Sequence, residues 1–346
     1  MFALCREQVH SSKYNPFVHN KGTSATKPTT TTDVSFVGAQ VKAEHGCIVA
    51  PTLKTAEFEQ GRLPLAMQVV DLEREKDKQG EVLECDSSEE FSVVQGCDAS
   101  VLLDSPSNEA EKDARPNANS LRGFKEIEEI KAAIEAECPG DVSCADILAL
   151  AARDAVVEVG GNSWSVALGR KDGRVSLKSE ADVKIPSPFD TFDQLVQNFG
   201  AVGLNHHEMV VLSGGHTIGR ASCGAVQKRL YNFGGVEGAT DPSIDPKFAN
   251  ELKKQCPQNQ QGSELSTDSS KNTFDNLYFK AVLAKKGLFE SDANLLTNPV
   301  GLELVTRYSK PGSSFYNDFA AAMLKMSNIQ WSTDGEIRRV CSVVNA

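Results

Sequence analysis

Two short stretches hold residues whose types and spacing could do chemistry. The first, Val94-Gln95-Gly96-Cys97-Asp98-Ala99-Ser100, reads as a loop built around an ion. Its small residues and glycine precede Asp98 and Ser100, hard oxygen donors two positions apart that suit a divalent cation. The second, VVLSGGHTIGRASC, carries His216 out of an apolar turn at Met209 to Leu212 through Gly214-Gly215. Glycines there either let the backbone approach something large and flat or end a helix. Taken alone, His216 reads first as a core histidine satisfied by one hydrogen bond. His206 and His207 fall in the first turn of a predicted helix and read as its solvated start. With His216 they make three histidines within eleven residues, but not a zinc-ligand spacing.

Helices must position these residues. Leu121, Phe124, Ile127, Ile130 and Ile134 recur at steps of three and four behind Asn119-Ser120, and Cys138-Pro139-Gly140 stops the run. The next segment, SCADILALAARDAVVEVGG, is apolar nearly all round, which predicts a central helix. Ser143 and Asp146 suggest its capping box, and Gly160-Gly161 its end. Thr191 caps a further candidate with Phe192, Leu195, Val196 and Phe199 on one face, and Asn205 another running to Ser213. Later candidates run from Asn272 to Lys286, stopped by Gly287, and from Ser313 to Ser327, with Phe315, Phe319, Ala322, Met323 and Met326 inward. Strand signals are short and few, so the fold class is mainly α.

The whole chain narrows the function. With 346 residues, 40% apolar and 24% charged, it has the composition of a globular protein. A net charge of -11 argues against nucleic acid or an anionic membrane as partner. No apolar run approaches the roughly 18–20 residues that span a bilayer. Met1 to Cys5 is apolar, but Arg6-Glu7-Gln8 cuts it short of a secretory signal. Lys21 to Asp33 reads as flexible linker and Asp71 to Glu81 as solvated surface, so residues 1–92 are expected to be an atypical, partly disordered N-terminal region. Residues 93–346 form the helical domain. Nine cysteines, none in a C-x-x-C pair, favour structural disulfides and an oxidising compartment.

The motifs VQGCDASVLLD, EKDARPNANSLRGF, CPGDVSCADILALAARDAV, LGRKDGR, IPSPF, LSGGHTIGRASC, NTFDNLYF, GLFESDANLL and GEIRRVCSVVN are similar, in order and spacing, to the plant secretory (class III) haem peroxidases. The resemblance covers roughly Val93 to Asn345. It implies a helical fold with distal and proximal halves around haem b, and oxidation of small phenolic donors by hydrogen peroxide. It also implies a monomer secreted to the extracellular space, with cytoplasmic retention the alternative. His216 would be the axial ligand of the iron. Asp292 would accept its other ring N–H, fixing the tautomer and making the imidazole more electron-donating. Two calcium ions are implied. Val94 and Gly96 through their backbone, with Asp98 and Ser100, match the first; Glu111 stands with that set and, with Asn117, matches a hydrogen-bonded support behind the upper haem face. Thr217 and Asp275 match the second. There the stretch LSTDSSKNTFD is one residue shorter than the family pattern, and Asp268 and Ser270 could substitute. Pro186 matches the substrate entrance. Cys144 would pair with Cys341, and Cys223 with Cys256. Cys97 has no family partner because position 92 is serine, and Cys138 has Cys5, Cys47 or Cys85.

The chain departs from the family just before the ion loop. There the family carries Arg-x-x-x-His-Asp-Cys, whose histidine moves a proton between the peroxide oxygens and whose arginine stabilises the developing charge. Asp86, Glu90, Phe91 and Ser92 occupy those positions. Glu90 is a carboxylate where the distal histidine is expected, without the arginine. Arg6 and His10 have the right spacing for one helical face, but no ion loop follows them. Three readings follow: a working peroxidase, a haem- and calcium-binding protein disabled in catalysis, or a defective product of alternative splicing or an incorrect gene model that neither folds nor binds haem.

Overall fold

Why helices start and stop where they do is mostly a matter of caps. The structure, a computed structural model, describes residues 97–118, 120–258, 264–270, 272–329 and 334–346. The expected N-terminal region, 1–92, lies outside them with Glu90, and so do Val94 and Gly96.

Helix α1, Phe124–Glu137, starts at Gly123 (φ 91°) rather than at Asn119-Ser120, and Pro139 follows its C-cap Cys138. Lys131 joins Ile127 and Ile130 on its buried face, where it donates to Glu135 and to the Val142 carbonyl at 2.6 Å. Helix α2, Cys144–Glu158, is buried on most sides, as its composition predicts. Only half of its capping box forms. Ser143 Oγ accepts the Asp146 N–H at 3.1 Å, whereas the Asp146 carboxylate turns to Gly169 N (2.7 Å) and Arg170 Nη1 (3.0 Å). A buried arginine outcompetes the local cap.

After α3, Lys178–Lys184, come two helices with complete capping boxes. Thr191 and Gln194 open α4, Phe192–Gly200; Asn205 and Glu208 open α5, His206–Ser213. Strand β1, Arg220–Ser222, pairs antiparallel with β2, Glu264–Ser266. Between them lie α6, Gln227–Tyr231, and α7, Pro246–Gln255. Helices α8, Leu277–Leu283, and α9, Glu290–Asn294, are short; α10, Pro299–Tyr308, and α11, Phe315–Ser327, complete the described set. The span predicted over 272–286 contracts to α8, because the Asp275 carboxylate takes the Leu277 N–H before it and Lys285 turns left-handed after it (φ 58°).

Met209, Val210, Val211 and Leu212 of α5 are all fully buried, and α5 packs on α4, α10 and α11. The five residues expected inward on α11 are buried there, among Phe274 and Phe279. Two disulfides staple this arrangement: Cys144–Cys341 ties the start of α2 to the C-terminal segment, and Cys223–Cys256 joins the turn after β1 to the end of α7. Cys138 is also disulfide-bonded, to a residue outside the described ones. Cys97 Sγ lies 3.7 Å from the Met326 carbonyl.

Cys223 and Cys256 are 33 residues apart, so their bond removes about 3–4 kcal/mol of unfolded-chain entropy. Replacing both with serine lowers the unfolding free energy by that amount in a denaturant titration. A change under ~1 kcal/mol would show that the closure adds little.

Candidate active site

Helix α5 ends at Ser213 with Gly214 as its C-cap, and the chain continues directly into a 3-10 turn, Gly214–Thr217, that carries His216. Gly214 is needed for close approach. A Cβ there would lie 2.5 Å from Phe315 Cε2 and 2.8 Å from Phe279 Cζ, so the large flat neighbours are two core rings. His216 Nδ1 lies 2.9 Å from Asp292 Oδ1 across 76 residues of sequence. The carboxylate is 2% exposed and takes two further donors: Tyr278 Oη to Oδ1 and Phe289 N–H to Oδ2, both at 2.8 Å. Burial works to raise the Asp292 carboxyl. The His216 charge and hydrogen bond, with the bonds from Phe289 and Tyr278, outweigh it and hold the group below its ordinary value.

The imidazole is boxed by aromatic edges, with ring centroids 4.9 Å from Phe289 and 5.7 Å from Tyr278. Its side chain is 20% exposed. A proton held on Nδ1 by Asp292 puts the lone pair on Nε2, the electron pair a metal ligand needs. Gly287 permits the approach from below, since a Cβ there would meet Asp292 Cβ at 2.8 Å.

The first oxygen-rich set surrounds Asp98. Ser100 N–H donates to Asp98 Oδ1 (3.0 Å), and Ser100 Oγ donates to Glu111 Oε1 (2.9 Å), leaving hydroxyl lone pairs to point elsewhere. Asn117 Nδ2 donates to the Glu111 carbonyl at 2.7 Å. Three buried atoms of this set have no hydrogen-bond partner: Asp98 Oδ2, Glu111 Oε2 and Asn117 Oδ1. Burial pushes Asp98 up to about 6 and Glu111 up to about 7, the latter also raised by Asp98 and eased by Ser100. Two buried carboxylates with unsatisfied oxygens are costly alone, and a divalent cation with oxygen preference would satisfy both. The residues fit such an ion.

The second set gathers Thr217, Asp268, Ser270 and Asp275. Thr217 Oγ1 lies 2.8 Å from Asp268 Oδ2 and 3.3 Å from Asp275 Oδ1, and Ser270 donates twice to Asp268 Oδ1, each at 2.8 Å. Asp268 therefore reaches Thr217, and Ser270 joins the set through Asp268. Each set combines two carboxylates with hydroxyls. Among the described residues no group of three or more His, Cys, Asp or Glu side chains could hold a metal ion. Half-buried Pro186 follows α3 in a strap bound to α9, by Ser291 N–H to the Pro188 carbonyl (3.0 Å) and Asn294 Nδ2 to the Asp190 carbonyl (2.9 Å).

Sequence reasoning missed several supports. A Cβ on Gly173 would lie 2.2 Å from Asp98 Oδ2, and the Gly173 N–H donates to the Asp98 carbonyl at 2.8 Å. Left-handed Ala99 (φ 58°) is gripped through its carbonyl by buried Arg338 at 2.6 Å. Tyr278 and Phe289 complete the surroundings of Asp292. Each lies inside a quoted motif, which was the signal available.

The peroxidase family model matches residues 48–311 of the sequence. The chain belongs to the plant class III peroxidase family. Peroxidase 27 of Arabidopsis thaliana is 48% identical over 256 residues, covering 73% of this chain and 78% of that protein. Peroxidase 1 of the same plant is 43% identical over 310 residues, covering 86% and 94%. The lignin-forming anionic peroxidase of Nicotiana sylvestris is 47% identical over 257 residues, covering 73% and 78%. This peroxidase is thus an oxidoreductase of a family that uses hydrogen peroxide, haem and calcium. The family match begins upstream of Val93, where the quoted motifs begin. No helix among the described residues is long and apolar enough to cross a membrane.

Gly214→Ala forces Phe315 or Phe279 to move in a fully buried cluster. Overpacking of this kind costs about 1–3 kcal/mol. A lowered thermal midpoint is expected, and an unchanged one would show that the rings yield freely.

Proposed function

We propose that this peroxidase holds haem b through Nε2 of His216 and oxidises small phenolic donors with hydrogen peroxide only slowly. The His216–Asp292 bond carries the reading. A histidine fixed in one tautomer by a buried carboxylate is the arrangement a strongly donating axial ligand requires. Haem bound there supplies the redox-active iron on which the family's peroxide chemistry depends. Asp292 holds the Nδ1 proton, Tyr278 and Phe289 hold Asp292, and the aromatic edges fix the plane of the ring. The strap carrying Pro186 borders the donor entrance.

The acid–base step above the iron lacks its usual groups. Glu90 stands where the proton-moving histidine belongs and Asp86 where the arginine belongs. Asn117 Oδ1, a buried acceptor with no donor, is what a support residue looks like when the N–H it should receive is missing. That orphan atom favours a haem holder with impaired turnover. Loss of a general acid–base group costs about 10²–10⁴ in rate, before the missing arginine is counted.

Calcium would be held in the first set by Asp98 and Ser100, with Glu111 and Asn117 in support. A second ion sits among Thr217, Asp268, Ser270 and Asp275. The disulfides Cys144–Cys341 and Cys223–Cys256 fit an extracellular protein.

Refolded with haem and calcium, the full chain should show a Soret band that His216→Ala abolishes. Its turnover of a phenolic donor should fall roughly 10²–10⁴-fold below that of Peroxidase 27. Equal turnover would overturn the reading of the upper side, and a Soret band indifferent to His216→Ala would overturn the ligand assignment.

Calcium at 100 times its dissociation constant for the first set should raise unfolding free energy by about 2.7 kcal/mol through that set. Asp98→Asn should remove most of that gain in a chelator-against-calcium melt. Retention of the full gain in the variant would place the ion elsewhere.

A further inference from the structure

We propose that Arg229 is a positioning residue for the His216–Asp292 pair, acting through the loop 287–289. It rests on the proposed role of His216 only for its consequence, not for its geometry. Arg229, on α6, is 1% exposed, and its three guanidinium nitrogens all donate hydrogen bonds. Nε donates to Asp241 Oδ2 at 2.5 Å and Nη2 to Ser243 Oγ at 3.2 Å. Nη1 donates to the Leu288 carbonyl at 3.0 Å and also to that of Gly287.

Those two carbonyls belong to the irregular segment between α8 and α9. The next residue, Phe289, gives its N–H to Asp292 Oδ2 and sets its ring against His216. Gly287 itself abuts Asp292. One guanidinium therefore fixes the two peptides that precede the residue touching both members of the pair. Asp241 fixes the plane of the fork: Asp241 Oδ1 is itself held by the Ser243 N–H at 2.7 Å, and the Asp241 N–H donates to the Arg229 carbonyl at 2.8 Å. A buried Arg–Asp pair is weak evidence of net stabilisation by itself. Its two carbonyl bonds, aimed at the loop below the histidine, are what assign it a task. Lysine could match the charge but not the fork, since its ammonium is a single point of donation.

The test reads the pair directly in the full chain without haem. The hydrogen-bonded Nδ1–H of His216 gives a low-field proton resonance, identified by its loss in His216→Ala and Asp292→Ala. In Arg229→Lys it should move upfield and broaden through water exchange. In Arg229→Met combined with Asp241→Leu, which leaves no lone buried charge, it should do the same. A folded variant of either kind with the wild-type resonance overturns the proposal, even if its melting temperature falls, because a purely structural arginine would lower stability and leave the resonance in place. Failure of the haem reading shows separately, as the absence of a His216-dependent Soret band in the unmodified chain.

Discussion

A carboxylate buried to 2% exposure against an imidazole dictates much of what surrounds it. Asp292 could not stay ionised there without donors, and it has three: His216 Nδ1, Tyr278 Oη and the Phe289 N–H. Each donor in turn imposes a condition. His216 must arrive on a turn that threads between aromatic rings, so Gly214 cannot carry a side chain. Tyr278 must lie on the inner face of α8, against Phe279. Phe289 must be held in an irregular loop, where Gly287 allows contact and Arg229 supplies hydrogen bonds. A single buried charge thereby constrains four separate segments of chain.

The same logic recurs away from the site. The described residues contain one two-stranded sheet, so much of their irregular backbone finds no ladder to join. Buried arginine–aspartate pairs take over that task. Arg170, paired with Asp146 at 3.0 Å, donates to the Ala167 carbonyl and, at 3.0 and 2.7 Å, to that of Ser327. Asp172 accepts the N–H groups of Cys144, Ala145 and Arg338 within 2.8–3.1 Å, capping the start of α2 from a distance. Leaving such a buried group unpaired costs about 1–3 kcal/mol. The net gain of each pair therefore lies less in the charge attraction than in the backbone groups it satisfies.

How far the sequence disclosed this depended on whether a residue's partner was local. Thr191 and Asn205 cap their helices by contacts three residues away, and both were legible. The inward face of α11 was legible because a period of 3.6 alone decides it. Helices α7 and α10 open on Asp245-Pro246 and Asn298-Pro299, signals that were present but passed over. Asp146 looked like half of a capping box, yet a distant arginine claims it. Lys131 had no reason in the sequence to be buried until Glu135 and the Val142 carbonyl enclosed it. His216 and Asp292 could be paired only through the family's ordered motifs, because nothing in their spacing of 76 residues brings them together. Gly173, Gly287 and Arg229 act through tertiary contact alone.

The two oxygen-rich sets also differ in what they lack. Around Thr217 the carboxylates of Asp268 and Asp275 take donors from Thr217, Ser270 and the Leu277 N–H, and none of their atoms is buried without a partner. Around Asp98 two carboxylate oxygens stay buried and unsatisfied, held together by Ser100, by the bare face of Gly173 and by the left-handed turn at Ala99 that Arg338 clamps. The groups of the second set satisfy one another. In the first set burial raises both carboxyls toward the protonated form, and Asp98 adds to the effect on Glu111. On the proposed reading the first set has more to gain from a cation than the second.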